Sequence, residues 1–205
     1  FLMSLPAGRV VAALGYKGGI VCGLAVAGVG ALLFWPAAGA HSYPLFLFAL
    51  FVLATGITVL QVAANPYVAL LGPEKTASSR LNLSQAFNSL GTAIAPLFGG
   101  LLILAADPKT PEQVAAMSQA DALAYRTAEA SSVQMPYLGL AIALFALAVF
   151  IFAFRLPKLS EESEQGDGRH YGIFEPLRHR HVLLGVLGLF FYVGAEVSIG
   201  SYLVN

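Results

Sequence analysis

The chain has 205 residues and no net charge, with 58% hydrophobic residues and only 11% charged ones, where soluble domains carry about 25% charged. Zero net charge leaves no basic surface for nucleic acid, and the one cysteine, Cys22 inside an apolar run, supplies neither a disulfide framework nor a thiolate metal site. A mean hydropathy of +0.75 points to lipid, and the way the apolar residues are blocked along the chain decides it.

Phe1 to about Val11 is apolar, but Arg9 interrupts it after too few residues to cross a bilayer core, which takes about 20. It reads as the second half of a membrane helix. A signal peptide is not expected, because no positive region precedes the run and no small-residue cleavage site follows it. Five longer blocks come next: Gly18–Ala38, Tyr43–Leu71, Ser78–Ala106, Val133–Leu156 and Val182–Leu203. Within lipid, small residues four apart let backbones approach closely. Gly15, Gly19, Gly23, Ala27 and Ala31 form such a ladder, and Gly91, Ala95 and Gly99 form another, so both are expected to be packing seams.

The connections alternate in charge. Arg9 and Lys17 lie before the first full block, Lys75 and Arg80 around the next-but-one connection, and Arg155, Lys158, Arg169, Arg178 and Arg180 on the linker that precedes the last block. The loop between the third and fourth blocks has Lys109 and Arg126 against Asp107, Glu112, Asp121 and Glu129. Basic loops face the cytoplasm, which puts the first turn and the long linker on that side. His41 is expected in a loop. In the outer loop Thr110-Pro111-Glu112-Gln113 has a capping Thr, Pro at the first helical position and Gln at the third, the pattern of a short surface helix. The segment Pro157 to Arg180 is polar and contains Gly166 and Gly168, as a hydrated connection between two bundles would be. His179 and His181 flank Arg180, but no further ligand completes a metal site, so an interfacial anchor is expected there.

Polar residues inside the blocks are few and ordered. At helical spacing Ser78, Asn82, Gln85, Ser89 and Thr92 share a face, with Asn88 at its edge, and Leu83, Phe87, Leu90, Ile94 and Leu97 lie opposite. In the preceding block Thr58, Gln61 and Asn65 share a face, and Pro66 frees a carbonyl that a neighbour or a cavity must satisfy. Any one amide could be interhelical glue worth about 0.6 kcal/mol. Two such stripes on consecutive helices point instead to a solvated cavity, and an uncharged amide that both donates and accepts suits a neutral polyol.

Glu196 is the only acidic residue well inside an apolar block. Burying a carboxylate near a helix centre costs about 2.5–3.5 kcal/mol, so it marks function. It is the expected proton- or sodium-coupling group, with Tyr192 one turn away as a partner. A P-loop, an HExxH pair and a nucleophile elbow are all missing from the sequence, so neither a nucleotide-driven pump nor an enzyme is expected, and no cofactor.

Gln61-Val62-Ala63-Ala64-Asn65-Pro66-Tyr67-Val68-Ala69-Leu70-Leu71-Gly72-Pro73-Glu74 and Ser79-Arg80-Leu81-Asn82-Leu83-Ser84-Gln85-Ala86-Phe87-Asn88-Ser89-Leu90-Gly91 closely resemble the signature of the fucose permease and glucose/galactose transporter family, a branch of the major facilitator superfamily. Pro6-Ala7-Gly8-Arg9 with Gly15-Tyr16-Lys17, and Tyr192-Val193-Gly194-Ala195-Glu196, extend the resemblance. It implies an all-α membrane protein of twelve helices in two six-helix halves, working by alternating access around a central sugar site. The sequence would then run from the end of the second helix through the seventh. Residues 1–156 would belong to the first half, 157–180 to the cytoplasmic linker and 181–205 to the first helix of the second half. The resemblance assigns sugar contact to Gln85 and Asn88 first, then Gln61 and Asn65. The fucose branch carries a glutamate at the Gln61 position and an amide at that of Glu196, so the arrangement here is closer to the glucose/galactose branch. The loop before the first full block lacks the acidic residue usual in the superfamily's signature.

The expected function is import of a neutral hexose such as glucose or galactose, or an amino sugar, with H+ or Na+. The expected setting is the bacterial inner membrane, as a lipid-embedded, multi-pass monomer. Fucose:H+ symport, and a transporter-like sensor or scaffold, are the alternatives.

Overall fold

The structure is a computed structural model that describes residues 3–40, 42–103, 109–157 and 178–203. Every element among them is helical: α1 (Ser4–Gly39), α2 (Tyr43–Leu70), a 3-10 turn (Glu74–Thr76), α3 (Ala77–Ile103), α4 (Pro111–Ala115), α5 (Gln119–Ser132), α6 (Gln134–Ala153) and α7 (Arg180–Leu203). They fall into two compact units, Phe1–Leu159 and Ser160–Asn205. His41, Asp107 and the linker from 158 to 177 lie outside the described residues.

α1 is two helices joined at Gly15, whose φ of 71° and ψ of 172° interrupt the helix. A side chain is not tolerated at such angles, which is why glycine stands there. The chain doubles back at this point. A Cβ on Gly19 would lie 2.9 Å from Val11 Cγ2, whereas eight residues of straight helix would separate the two positions by about 12 Å. The apolar start and the first full block are therefore antiparallel neighbours, as their sequence blocks imply. Gly15 itself is the turn and not a rung of the ladder.

From Gly19 onward the ladder is a seam. Gly19, Gly23, Ala27 and Ala31 are buried, and the partner is α2. A Cβ added to Gly23 would meet Leu60 N at 2.6 Å, one on Gly56 would meet Ala27 N at 2.2 Å, and one on Gly30 would meet Leu53 N at 2.3 Å. The two backbones touch because both contribute glycine at the crossing. α6 closes the other side of α1. The Phe34 and Tyr137 rings stack with centroids 4.0 Å apart, and Gln134 Nε2 donates to the Trp35 carbonyl at 3.3 Å. At the opposite end Val11, Ile20, Leu24, Ala63, Tyr67 and Ala148 form the core. The second ladder is different: a Cβ on Gly91 or Gly99 would meet nothing within 4 Å, so among the described residues it is no seam.

Length and apolarity single out Ser4–Gly39, Tyr43–Leu70, Gln119–Ala153 and Arg180–Ile199 as helices able to cross a membrane, which makes the chain a multi-pass membrane protein. α3, at 27 residues and about 40 Å, is also long enough. Ser78, Asn82, Gln85, Asn88, Ser89 and Thr92 dilute its apolarity.

The outer loop follows its sequence pattern. Thr110 Oγ1 accepts from the Gln113 N–H at 3.3 Å while Gln113 Oε1 accepts from the Thr110 N–H at 2.8 Å, a reciprocal cap that starts α4. Ser118 Oγ caps α5 by accepting from the Asp121 N–H at 3.2 Å.

Candidate functional site

Among the long apolar helices of the first unit, α1, α2, α3 and α6, the amide side chains concentrate on α2 and α3. On α2, Gln61 and Asn65 are one turn apart and exposed. Thr58, which shares their face, directs its hydroxyl to the Ala54 carbonyl at 2.8 Å. The amides are thus the groups this stripe offers outward. On α3, Gln85 and Asn88 are exposed and adjacent, with Asn88 Nδ2 donating to Gln85 Oε1 at 3.5 Å. That contact is long and therefore weak. The Gln85 side-chain N–H groups and Asn88 Oδ1 are left for a ligand, so a donor pair and an acceptor stand side by side. Neighbouring hydroxyls on a sugar ring ask for this combination. Thr92 Oγ1 bonds back to the Asn88 carbonyl at 3.0 Å, a contact that bends helices, and Pro96 one turn on removes a further backbone bond.

Helical rise places both amide pairs at similar depth from the α2–α3 turn. Asn65 and Gln61 precede Leu70 by about 8 and 13 Å, and Gln85 and Asn88 follow Ala77 by about 12 and 16 Å. α3 packs appreciably only on α2 and on the turn between them. Its apolar side is uncovered in this unit, with Phe87 67% exposed and Leu83 61%.

The turn is organised by Arg80. Its Nε donates to the Val68 carbonyl at 3.1 Å, and its Nη1 to the Pro73 carbonyl at 3.1 Å and to Thr76 Oγ1. Nη2 donates to the Ala69 carbonyl and, at 3.5 Å, to that of Gly72. The chain wraps the guanidinium closely enough that Gly72 has a φ of 148° and a Cβ there would lie 3.2 Å from Nη1. Lys17 makes the analogous cap on α6, donating from Nζ to the carbonyls of Phe152 and Phe154 at 2.8 and 2.9 Å. Tyr67 adds a bond from its hydroxyl to the Pro157 carbonyl at 3.3 Å. Of the basic residues read from sequence as markers of one membrane face, Lys17 and Arg80 stand at the same end of the unit, on the C-terminal ends of α6 and α2, with Tyr67 between them. Their further role as caps on helix C-termini was missed. For Arg80 the available signal was a cation in the first helical turn after a Gly-Pro turn, where unpaired carbonyls and the negative helix end attract it.

In the second unit Tyr192 and Glu196 share one turn of α7 and both are exposed, Tyr192 by 63%. Ser198 bonds back to the Gly194 carbonyl at 2.8 Å. His179 and His181 lie with ring centroids 5.6 Å apart at the start of the helix, and no group of three metal-ligating side chains occurs among the described residues.

A profile of the Major Facilitator Superfamily matches residues 1–204. The glucose/galactose transporter of Brucella abortus biovar 1 (strain 9-941) is 50% identical over 205 residues, covering 100% of this chain and 46% of its own. The L-fucose-proton symporter of Escherichia coli (strain K12) is 40% identical over 209 residues, covering 100% of this chain and 48% of its own. The crystal structure of a Major Facilitator Superfamily transporter, FucP, in the outward conformation superposes with a TM-score of 0.84 at 39% identity, over 98% of this chain and 50% of that one. The chain thus spans about half the length of the curated relatives it matches.

Proposed function

This chain belongs to the Major Facilitator Superfamily, and on that premise we propose that it forms part of a secondary transporter that carries a neutral hexose, glucose or galactose, together with a cation. The observation that carries this reading is the Gln85–Asn88 pair, which offers donors and an acceptor without charge, with a second amide pair at similar depth along α2. An ionised substrate would call for a cation or a carboxylate on these faces, and the site side chains of α2 and α3 include neither. The higher identity to a relative named as a glucose/galactose transporter than to one named for L-fucose supports a hexose over fucose.

Glu196 is the coupling group in this proposal, with Tyr192 one turn away to share its proton. A single carboxyl takes up and releases a proton unaided, while sodium needs several oxygen ligands. The fucose relative is also named for a proton, which favours H+ over Na+. Residues 1–156 belong to one helical half, 157–180 to the connection and 181–205 to the second half, in a lipid-embedded monomer of the bacterial inner membrane that has no enzymatic step.

The test is counterflow and gradient-driven uptake by the full-length protein in proteoliposomes, with a sugar panel and with pH or sodium gradients. Replacing Glu196→Gln is expected to abolish accumulation driven by the pH gradient while sparing exchange of labelled galactose. Undiminished accumulation rejects the coupling role. Gln85→Ala and Asn88→Ala are each expected to raise KM about tenfold, the equivalent of one good hydrogen bond at about 1.4 kcal/mol. A sensor or scaffold would show no exchange for these variants to impair.

A further inference from the structure

α3 bears the two amides assigned to sugar contact, yet it is packed on its unit only along α2 and the intervening turn. The strongest polar attachment in that region is one side chain. Arg80 gathers the Val68 and Ala69 carbonyls from the last turn of α2, and the Gly72 and Pro73 carbonyls and Thr76 Oγ1 from the turn. The Gly72 N–H bonds the Leu70 carbonyl at 2.8 Å, so three of the last four carbonyls of α2 are paired at this junction. Arg80 itself stands in the first turn of α3, five residues before Gln85 and eight before Asn88.

We infer that Arg80 is the positioning residue of the sugar site: by locking the end of α2 to the start of α3 it sets the separation and rotation of the Gln61/Asn65 and Gln85/Asn88 faces. Planarity is the physical reason arginine is needed. From its place on α3 the fixed fork of five N–H groups holds carbonyls of the α2 end and of the turn at defined angles, whereas a lysine ammonium is a point charge on a flexible stem that would hold fewer of them. A small rotation of α3 at its anchored end would become a displacement of the order of an ångström at Asn88, about 12 Å further along the helix. Misplacement of that size weakens a polar contact severely. The inference rests on the amide pairs being the sugar site, so its test includes a readout that does not depend on sugar.

In the full-length transporter, Arg80→Lys is expected to raise KM for galactose counterflow about five- to tenfold with the maximal exchange rate nearly unchanged. In a Gln85→Ala, Asn88→Ala background the same substitution is expected to add nothing, because the groups it positions are gone. Additive effects, or an unaltered KM, overturn the inference. Independently, spin labels at Ile57→Cys on α2 and Leu90→Cys on α3, in a Cys22→Ser background, are expected to show a broadened or shifted distance distribution in Arg80→Lys. An unchanged distribution overturns the positioning role whatever the sugar data say. If the double amide variant leaves KM untouched while the distance changes, the sugar site is misassigned and the clamp stands. Thr76→Val, which removes one acceptor and keeps the guanidinium, is expected to move both readouts the same way by a smaller amount. It replaces Arg80→Lys should that variant fail to reach the membrane.

Discussion

The second arm of α1 and the middle of α3 carry the same small-residue spacing, Gly19-Gly23-Ala27-Ala31 in one and Gly91-Ala95-Gly99 in the other, and they end in opposite environments. The first is buried against α2 with Ala27 at 0% exposure, while added Cβ atoms at Gly91 and Gly99 would touch nothing. The difference lies on the partner. Gly56 of α2 faces Gly23 and Ala27, so each backbone meets a gap in the other, whereas nothing in α1, α2 or α6 offers α3 a matching gap. A ladder of small residues thus permits close contact without creating it. Polarity adds a second contrast: the tight pair is apolar at its crossing, and the helix that stays open is the one lined with amides.

Gly56→Ala is the sharpest way to break that comparison. Its new Cβ would fall 2.2 Å from Ala27 N and 2.7 Å from Ala27 Cα, backbone atoms that no rotamer change moves. Separating the helices forfeits the whole seam, so the cost is expected at or above the upper end of ordinary overpacking, about 3 kcal/mol. A thermal unfolding scan in detergent reads it as a large fall in midpoint and in folded yield, and an unchanged midpoint would show that the crossing is not tight. Lys17→Met is expected to cost less, about 1 kcal/mol, by stripping the α6 C-terminus of the cation that bonds Phe152 and Phe154. Since the cap is electrostatic, the midpoint difference between Lys17→Met and wild type should shrink at high salt.

Much of this was readable in advance, for reasons that differ by residue. Block length gives the helices, because a bilayer fixes how many apolar residues a crossing needs. The Thr110 cap is legible because its partners lie three residues apart. That Lys17 and Arg80 share one end is legible from charge alone. The bonds of Lys17 to Phe152 and Phe154 were not legible, because they span 135 and 137 residues and require knowing that α1 and α6 are neighbours. Gly15 was misread for a related reason: ladder glycines and turn glycines look alike until Val11 is seen lying against Gly19. At the candidate site, periodicity found the faces of Gln61, Asn65, Gln85 and Asn88. It could not show that Arg80 ties α3 to the end of α2, since that depends on the path of the turn through Gly72 and Pro73.

Gly91→Ala has the smallest expected effect and the most informative sign. Glycine within a helix is less favourable than alanine by about 1 kcal/mol, and a Cβ at this position meets nothing within 4 Å. The substitution is therefore expected to leave the unfolding midpoint unchanged or raise it slightly, the reverse of Gly56→Ala. A fall comparable to that of Gly56→Ala would mean that the α3 ladder closes against a helix beyond this chain, and that both ladders are seams after all. In that case galactose exchange in the Gly91→Ala protein tells the two kinds of seam apart. A static contact would lower stability and leave the exchange rate of the surviving protein intact, whereas a contact made and broken during alternating access would slow exchange as well.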